Sequence, residues 1–180
     1  MQAIDCIKTR RSVRAFKEDK IPHELLCEVI EAAAFAPSWK NTQTTRYIVI
    51  EDRALIAEIA NNCVMGFEYN SKTMKGAPAI VLVTTIKGRS GYERDGSEST
   101  SKGSHWQSFD AGIATQTFCL AAHEKGLGTV IMGIYDEQKV IEAAGVPEGQ
   151  AVSALVPIGY PAVSPTAPAR KTVEELVSFK

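Results

Sequence analysis

The sequence predicts an α+β domain in which a central sheet is flanked by helices, and three stretches carry that reading. Residues 79–85, AIVLVTT, form an unbroken apolar run closed by small polar residues, the pattern of a strand buried on both faces. Residues 151–159 supply a second strand, with Val152, Ala154, Leu155, Val156 and Ile158 apolar. Between residues 22 and 36, Leu25, Leu26, Val29, Ile30 and Ala33 recur at a 3.6-residue period, while Glu24, Glu28 and Glu31 fall elsewhere, as in a helix packed on a core.

The remaining elements follow in chain order. Ile4 and Ile7 mark a short helix over residues 2–9, and residues 13–16 read as a brief extended segment. Pro22 opens the next helix, where its missing N–H would be unpaired anyway. That helix stops before Pro37, which disfavours helical geometry in the residue preceding it. Residues 36–43, APSWKNTQ, then form a loop leading straight into a strand at 46–51. Asp52 is an N-cap for a helix carrying Leu55, Ile56 and Ile59. Residues 61–76 show no regular period.

Residues 86–104 turn abruptly to Gly, Ser, Thr and charge, and a polar connection of that length is expected to be a mobile functional loop or disordered. Residues 108–125 predict a helix ending at Gly126. From 111 to 122 it is apolar or small almost all round, so its second face calls for a subunit interface, and Gln116 reads as a satisfied core amide. Residues 126–133 give a helix stop and a strand, in which Gly133 permits close approach of backbone or ligand. Asp136 caps a helix through Val140 and Ala144. Beyond residue 159, Pro161, Pro165 and Pro168 exclude regular structure until residues 172–176. This C-terminal arm ends in Leu176, Val177 and Phe179, an apolar patch suited to packing on a partner subunit.

Composition excludes several function classes. With 20 basic and 21 acidic residues and a net charge of -1, the chain lacks the field of a nucleic-acid binder held by general electrostatics. No apolar run is long enough to span a bilayer and the N-terminus lacks a signal-peptide core, so no membrane association and a cytoplasmic location are expected. The 180 residues are read as one domain, 1–180. The four cysteines, Cys6, Cys27, Cys63 and Cys119, and the three histidines are scattered without zinc-ligand or dithiol spacing. The cysteines are therefore expected to be small buried apolar residues.

The chemistry-bearing stretch is Arg10-Arg11-Ser12-Val13-Arg14, three guanidinium groups and a hydroxyl within five residues where a helix gives way to extended chain. Arg forks pair with phosphate oxygens in bidentate fashion and Ser adds a neutral donor, which suits a phosphate dianion. The alternative is a solvated basic turn paired with Glu18 and Asp19. Arg170 and Lys171 form a second cationic pair in the arm. Ser38, Asn41 and Gln43 read equally as ligand contacts or as turn-stabilising hydrogen bonders.

Taken together, RRSVRAF at 10–16, APSWKNTQ at 36–43, KGAPAIVLV at 75–83, GLGTVIMG at 126–133, and GYPA with RKTVEEL near the C-terminus resemble the nitroreductase family of FMN-dependent oxidoreductases in its short form. The resemblance implies a mostly antiparallel sheet and a homodimer with FMN at the subunit interface. It implies that Arg10, Arg11, Ser12 and Arg14 meet the phosphate, ribityl chain and pyrimidine edge, and that Arg170 and Lys171 complete the phosphate site. It places Pro37, Ser38, Trp39 and Asn41 beside the isoalloxazine of the other subunit, Met132 and Gly133 at flavin N5 through backbone N–H, and Asn70 at the pyrimidine. The implied reaction is ping-pong oxidation of NADH or NADPH with a small nitroaromatic or quinone acceptor, and no catalytic side chain is required because the flavin carries the chemistry. Dehalogenase-like or flavin-consuming chemistry, or a non-catalytic FMN store, are the alternatives. Thr44-Thr45 departs from the Pro-Trp that many relatives carry, which leaves the acceptor open.

Overall fold

A computed structural model describes residues 2–180. In chain order the elements are α1 (Ala3–Thr9), α2 (His23–Ala33), β1 (Thr45–Ile50), α3 (Arg53–Asn62), α4 (Glu68–Lys75), β2 (Ala79–Ile86), α5 (His105–Glu124), β3 (Gly128–Thr129), α6 (Glu137–Ala144), β4 (Gln150–Gly159) and α7 (Val173–Leu176). The strands form one sheet in the order β1-β2-β4-β3, and every pairing is antiparallel.

β2 sits inside this sheet and alternates strictly between two cores, which is why its sequence is apolar at every step. Ile80 and Leu82 join Ile56, Ile59 and Val140 from α3 and α6 on one face. Ala79, Val81 and Val83 join Leu26, Val29 and Phe118 from α2 and α5 on the other. On β4 a register shift opposite Val83 and Thr84 inserts Ser153, so Val152 and Leu155 face the first core while Ala154, Val156 and Ile158 face the second.

Several sequence expectations are corrected. Residues 61–76 contain α4, whose buried face is Asn70, Thr73 and Met74; two of those three are polar, so hydropathy conceals the helical period. Residues 86–104 are built as successive turns, with Glu93 N–H donating to the Ser97 carbonyl at 2.8 Å and Ser99 N–H to the Gly91 carbonyl at 2.9 Å. The strand at 126–133 shrinks to Gly128–Thr129 plus a bridge between Met132 and Leu155.

On α5, the buried residues are Asp110, Ala111, Ala114, Thr115, Phe118, Cys119 and Ala122, whereas Phe109, Gly112 and Gln116 are exposed. Gln116 is therefore not a core amide. Cys27 is exposed as well, because Leu26, Val29 and Ala33 claim the inward face of α2; Cys6, Cys63 and Cys119 are buried. Among the described residues no helix is long and apolar enough to cross a membrane.

Candidate cofactor site

The arginine segment leaves α1 and runs along the edge of β3. Val13 N–H donates to the Thr129 carbonyl at 2.9 Å, and Ser12 bridges Thr129 in parallel. Val13 is turned inward against Gly128, where a Cβ would lie 2.8 Å from the Val13 side chain; glycine allows the two backbones to meet. Alternation along extended chain then directs Ser12 and Arg14 to the opposite side. The Arg14 guanidinium lies 5.7 Å from the centroid of the Tyr69 ring on α4, next to Asn70. Arg14 thus carries the edge segment against α4. Asn70 is 7% exposed, and its carboxamide makes no hydrogen bond among the described residues.

Arg10 and Arg11 behave differently. Arg11 Nη1 donates to the carbonyls of Lys8 at 2.7 Å and Arg10 at 2.8 Å, closing the C-terminal end of α1. Arg10 Nε is buried without a partner. Both arginines line a cavity of about 370 Å³ with His123, Gly126 and Pro161. Burial, and after it the charge of Arg10, push the His123 imidazole below its ordinary value, while Glu124 acts in the opposite sense. Among the described residues neither Glu18 nor Asp19 forms an ion pair with Arg10, Arg11 or Arg14, so pairing with them is not how this charge is met.

Met132 is buried and its backbone N–H donates to the Leu155 carbonyl at 2.8 Å, so this N–H is already engaged. The next residue, Gly133, is exposed; a Cβ there would meet no protein atom within 4 Å and its φ lies outside the left-handed region. Neither crowding nor backbone conformation within the chain demands glycine at this position.

Residues 37–41 and 170–171 are not joined to this cluster by any hydrogen bond, ion pair or ring contact among the described residues. Trp39 N–H donates to Asp110 Oδ2 at 2.9 Å, and the Trp39 ring packs on Trp106 with centroids 4.6 Å apart. Pro37 and Ser38 line a separate cavity of about 330 Å³ with Ile30, Ala33 and Tyr47. The Tyr47 hydroxyl is buried without a partner, and burial raises its pKa to about 12. Arg170 Nη1 donates to the carbonyls of Pro168 and Ala169 within the exposed arm. Sequence reading passed over Tyr69 and Asp110; the available signal for Asp110 was an acidic residue at the border of an otherwise apolar helix. Among the described residues no group of three or more His, Cys, Asp or Glu side chains could hold a metal ion.

The fold and this cluster define an α+β protein with three arginines gathered beside a sheet edge. Residues 7–160 match the nitroreductase family, and the chain belongs to that family of oxidoreductase enzymes. It is 29% identical to iodotyrosine deiodinase of Thermotoga neapolitana, over 87% of this chain and 87% of that protein. It is 27% identical to a NADH dehydrogenase of Thermus thermophilus, over 95% and 92% of the two chains. The crystal structure of oxidized iodotyrosine deiodinase bound to FMN and 3-iodo-L-tyrosine superimposes with a TM-score of 0.81, covering 99% of this chain and all (100%) of that one at 24% identity.

The residues present fit FMN, a cofactor of this family. A partnerless buried guanidinium nitrogen and a glycine with open space over its Cβ position are two features that a phosphate and a close-lying ring would each satisfy.

Proposed function

We propose that residues 1–180 form one FMN-binding unit that works as a homodimer, oxidises NADH or NADPH, and reduces a small planar acceptor such as a nitroaromatic or a quinone. FMN, when bound, supplies the hydride chemistry in a ping-pong sequence. The chain's own residues bind and tune. Arg10 meets the phosphate with Arg170 and Lys171, each charge-assisted hydrogen bond contributing roughly 1.5–3 kcal/mol. Ser12 adds a neutral donor, and Arg11 contributes charge while it closes α1. Asn70 and Arg14 face the pyrimidine edge, where a cation stabilises negative charge developing on reduction.

Gly133 would offer the backbone N–H toward N5, since that of Met132 is engaged, and Met132 fixes the strand end through its pairing with Leu155. Residues 37–41 face the flavin of the other subunit, and residues 170–171 reach that subunit with the end of the arm, which accounts for the absence, among the described residues, of any hydrogen bond, ion pair or ring contact between them and the arginine cluster of their own chain. The observation that carries the reading is the buried Arg10 Nε with no partner beside an open electropositive cavity.

The test is a visible absorption spectrum before and after anaerobic addition of NADH and then NADPH. A yellow protein that bleaches with nicotinamide and recovers with a quinone is the expected result, and Arg10→Ala is expected to lose flavin on gel filtration. A protein that stays colourless after incubation with FMN overturns the proposal. The 29% identity to a deiodinase supports a second reading, reductive dehalogenation of a halogenated phenol. Halide release from 3-iodo-L-tyrosine in place of quinone turnover would select it.

A further inference from the structure

We propose that Asp110 is a positioning residue that sets the geometry of the cofactor-facing loop at residues 37–41 and couples it to segment 86–104. This inference rests on the reading that the loop faces the flavin. Asp110 lies near the start of α5, is 3% exposed, and is the one acidic or basic side chain among the buried residues described. Its Oδ2 accepts two hydrogen bonds, from Trp39 N–H at 2.9 Å and from the Ser90 hydroxyl at 2.6 Å, and Ser90 is itself fully buried. One oxygen therefore ties the loop, the helix and the polar segment together.

The loop needs such a tie. Lys40, Asn41 and Gln43 have φ of 44°, 54° and 48°, the left-handed region that residues with a Cβ adopt rarely. Such geometry persists where neighbouring groups over-determine it. Ser38 Oγ accepts from Gln43 N–H at 3.0 Å, which closes the loop on itself without attaching it to anything else. The Lys40–Glu93 pair at 2.7 Å is about half exposed on both sides, and such pairs are weak in water. The Trp39–Trp106 contact is non-directional compared with a hydrogen bond. Asp110 thus supplies the buried, directional attachment, at the residue lying between Ser38 and Asn41. An apolar side chain at position 110 would fill space at least as well but would leave the Trp39 N–H unmet.

The chain has two tryptophans, Trp39 and Trp106, and they pack against each other at an interplanar angle of 44°, so near-ultraviolet circular dichroism reports this contact alone among indoles. The experiment compares wild type, Asp110→Ala, Asp110→Asn, Ser90→Ala and Asn41→Ala, each reconstituted with FMN, by tryptophan dichroism, FMN titration, and KM and kcat per bound flavin with NADH and a benzoquinone.

Asp110→Ala is expected to lose the indole signal and raise the quinone KM about tenfold or more, with kcat changed far less. Asp110→Asn, which keeps an acceptor oxygen, should recover most of both. Asn41→Ala should raise KM or weaken FMN binding with the indole signal intact. A lower melting temperature for Asp110→Ala with KM and dichroism per loaded site unchanged would make the residue merely structural and overturn the proposal. If Asp110→Ala does not fold, Ser90→Ala decides: a weaker shift in the same direction supports the proposal, and wild-type behaviour overturns it. Should Asn41→Ala leave FMN affinity and KM untouched while Asp110→Ala abolishes the indole signal, the cofactor-facing reading of the loop is what fails.

Discussion

Two glycines with opposite surroundings separate stability from ligand binding at the scale of single residues. A Cβ at Gly128 would press to 2.8 Å on Val13, whereas a Cβ at Gly133 would enter open space. Gly128→Ala is therefore expected to lower unfolding free energy by about 1–3 kcal/mol through overpacking. Gly133→Ala is expected to leave stability unchanged or raise it by up to about 1 kcal/mol, since it restricts the unfolded chain. Its cost should fall on FMN affinity instead. Urea denaturation of the flavin-free protein and FMN titration of both variants check the pair, and equal FMN affinity in Gly133→Ala and wild type would remove Gly133 from the site. Arg10 and Arg14 were legible as members of a cationic cluster because charge cannot be hidden from a sequence. The engagement of the Met132 N–H was not legible, because main-chain partners depend on which strand lies alongside.

Caps and periodicities decide the elements. Asp52 Oδ1 accepts from Ala54 N–H at 2.8 Å and Leu55 N–H at 3.4 Å, as expected for an N-cap. Asp52→Ala should cost about 1 kcal/mol, read as a lower urea midpoint with unchanged slope. Asp136 caps α6 in the same manner through Lys139 N–H at 3.2 Å. Both caps were readable because the acceptor and the N–H it serves are near neighbours in sequence. The α4 helix was not, since Asn70 and Thr73 occupy its inward face. Nor was the turn structure of segment 86–104, whose attachments come from distant residues: Lys87 N–H donates to the Gly149 carbonyl at 2.8 Å and Gly88 N–H to Gln107 Oε1 at 2.6 Å.

For the whole molecule, the exposed apolar surfaces suit the proposed second copy. Both faces of the sheet are filled within the chain. Yet α5 leaves Phe109 59% exposed, and the arm leaves Leu176 71% and Phe179 92% exposed. β1 is an open edge strand. Apolar groups so placed are covered by association more readily than by refolding of a filled core. Removal of residues 166–180 should convert a dimer to a monomer in light scattering and weaken FMN retention, because Arg170 and Lys171 go with it. Far-ultraviolet dichroism should change little, since the arm contributes only the four residues of α7 to helix. A truncated protein that remains dimeric with full flavin affinity would sink the proposed role of the arm.

The sequence by itself determined the α+β class, the strand at 79–85, the capped helices and the arginine cluster, and it carried enough of the motif order to point to the family. These are properties of local pattern: period, cap and charge act over a few residues. The tertiary structure alone decided that β2 lies between two cores, that Arg14 meets Tyr69, that Arg10 Nε is left without a partner, and that Asp110 holds Trp39. The last contact spans 71 positions in the chain. Proximity across that distance is created when helices and strands pack, and no local preference encodes it.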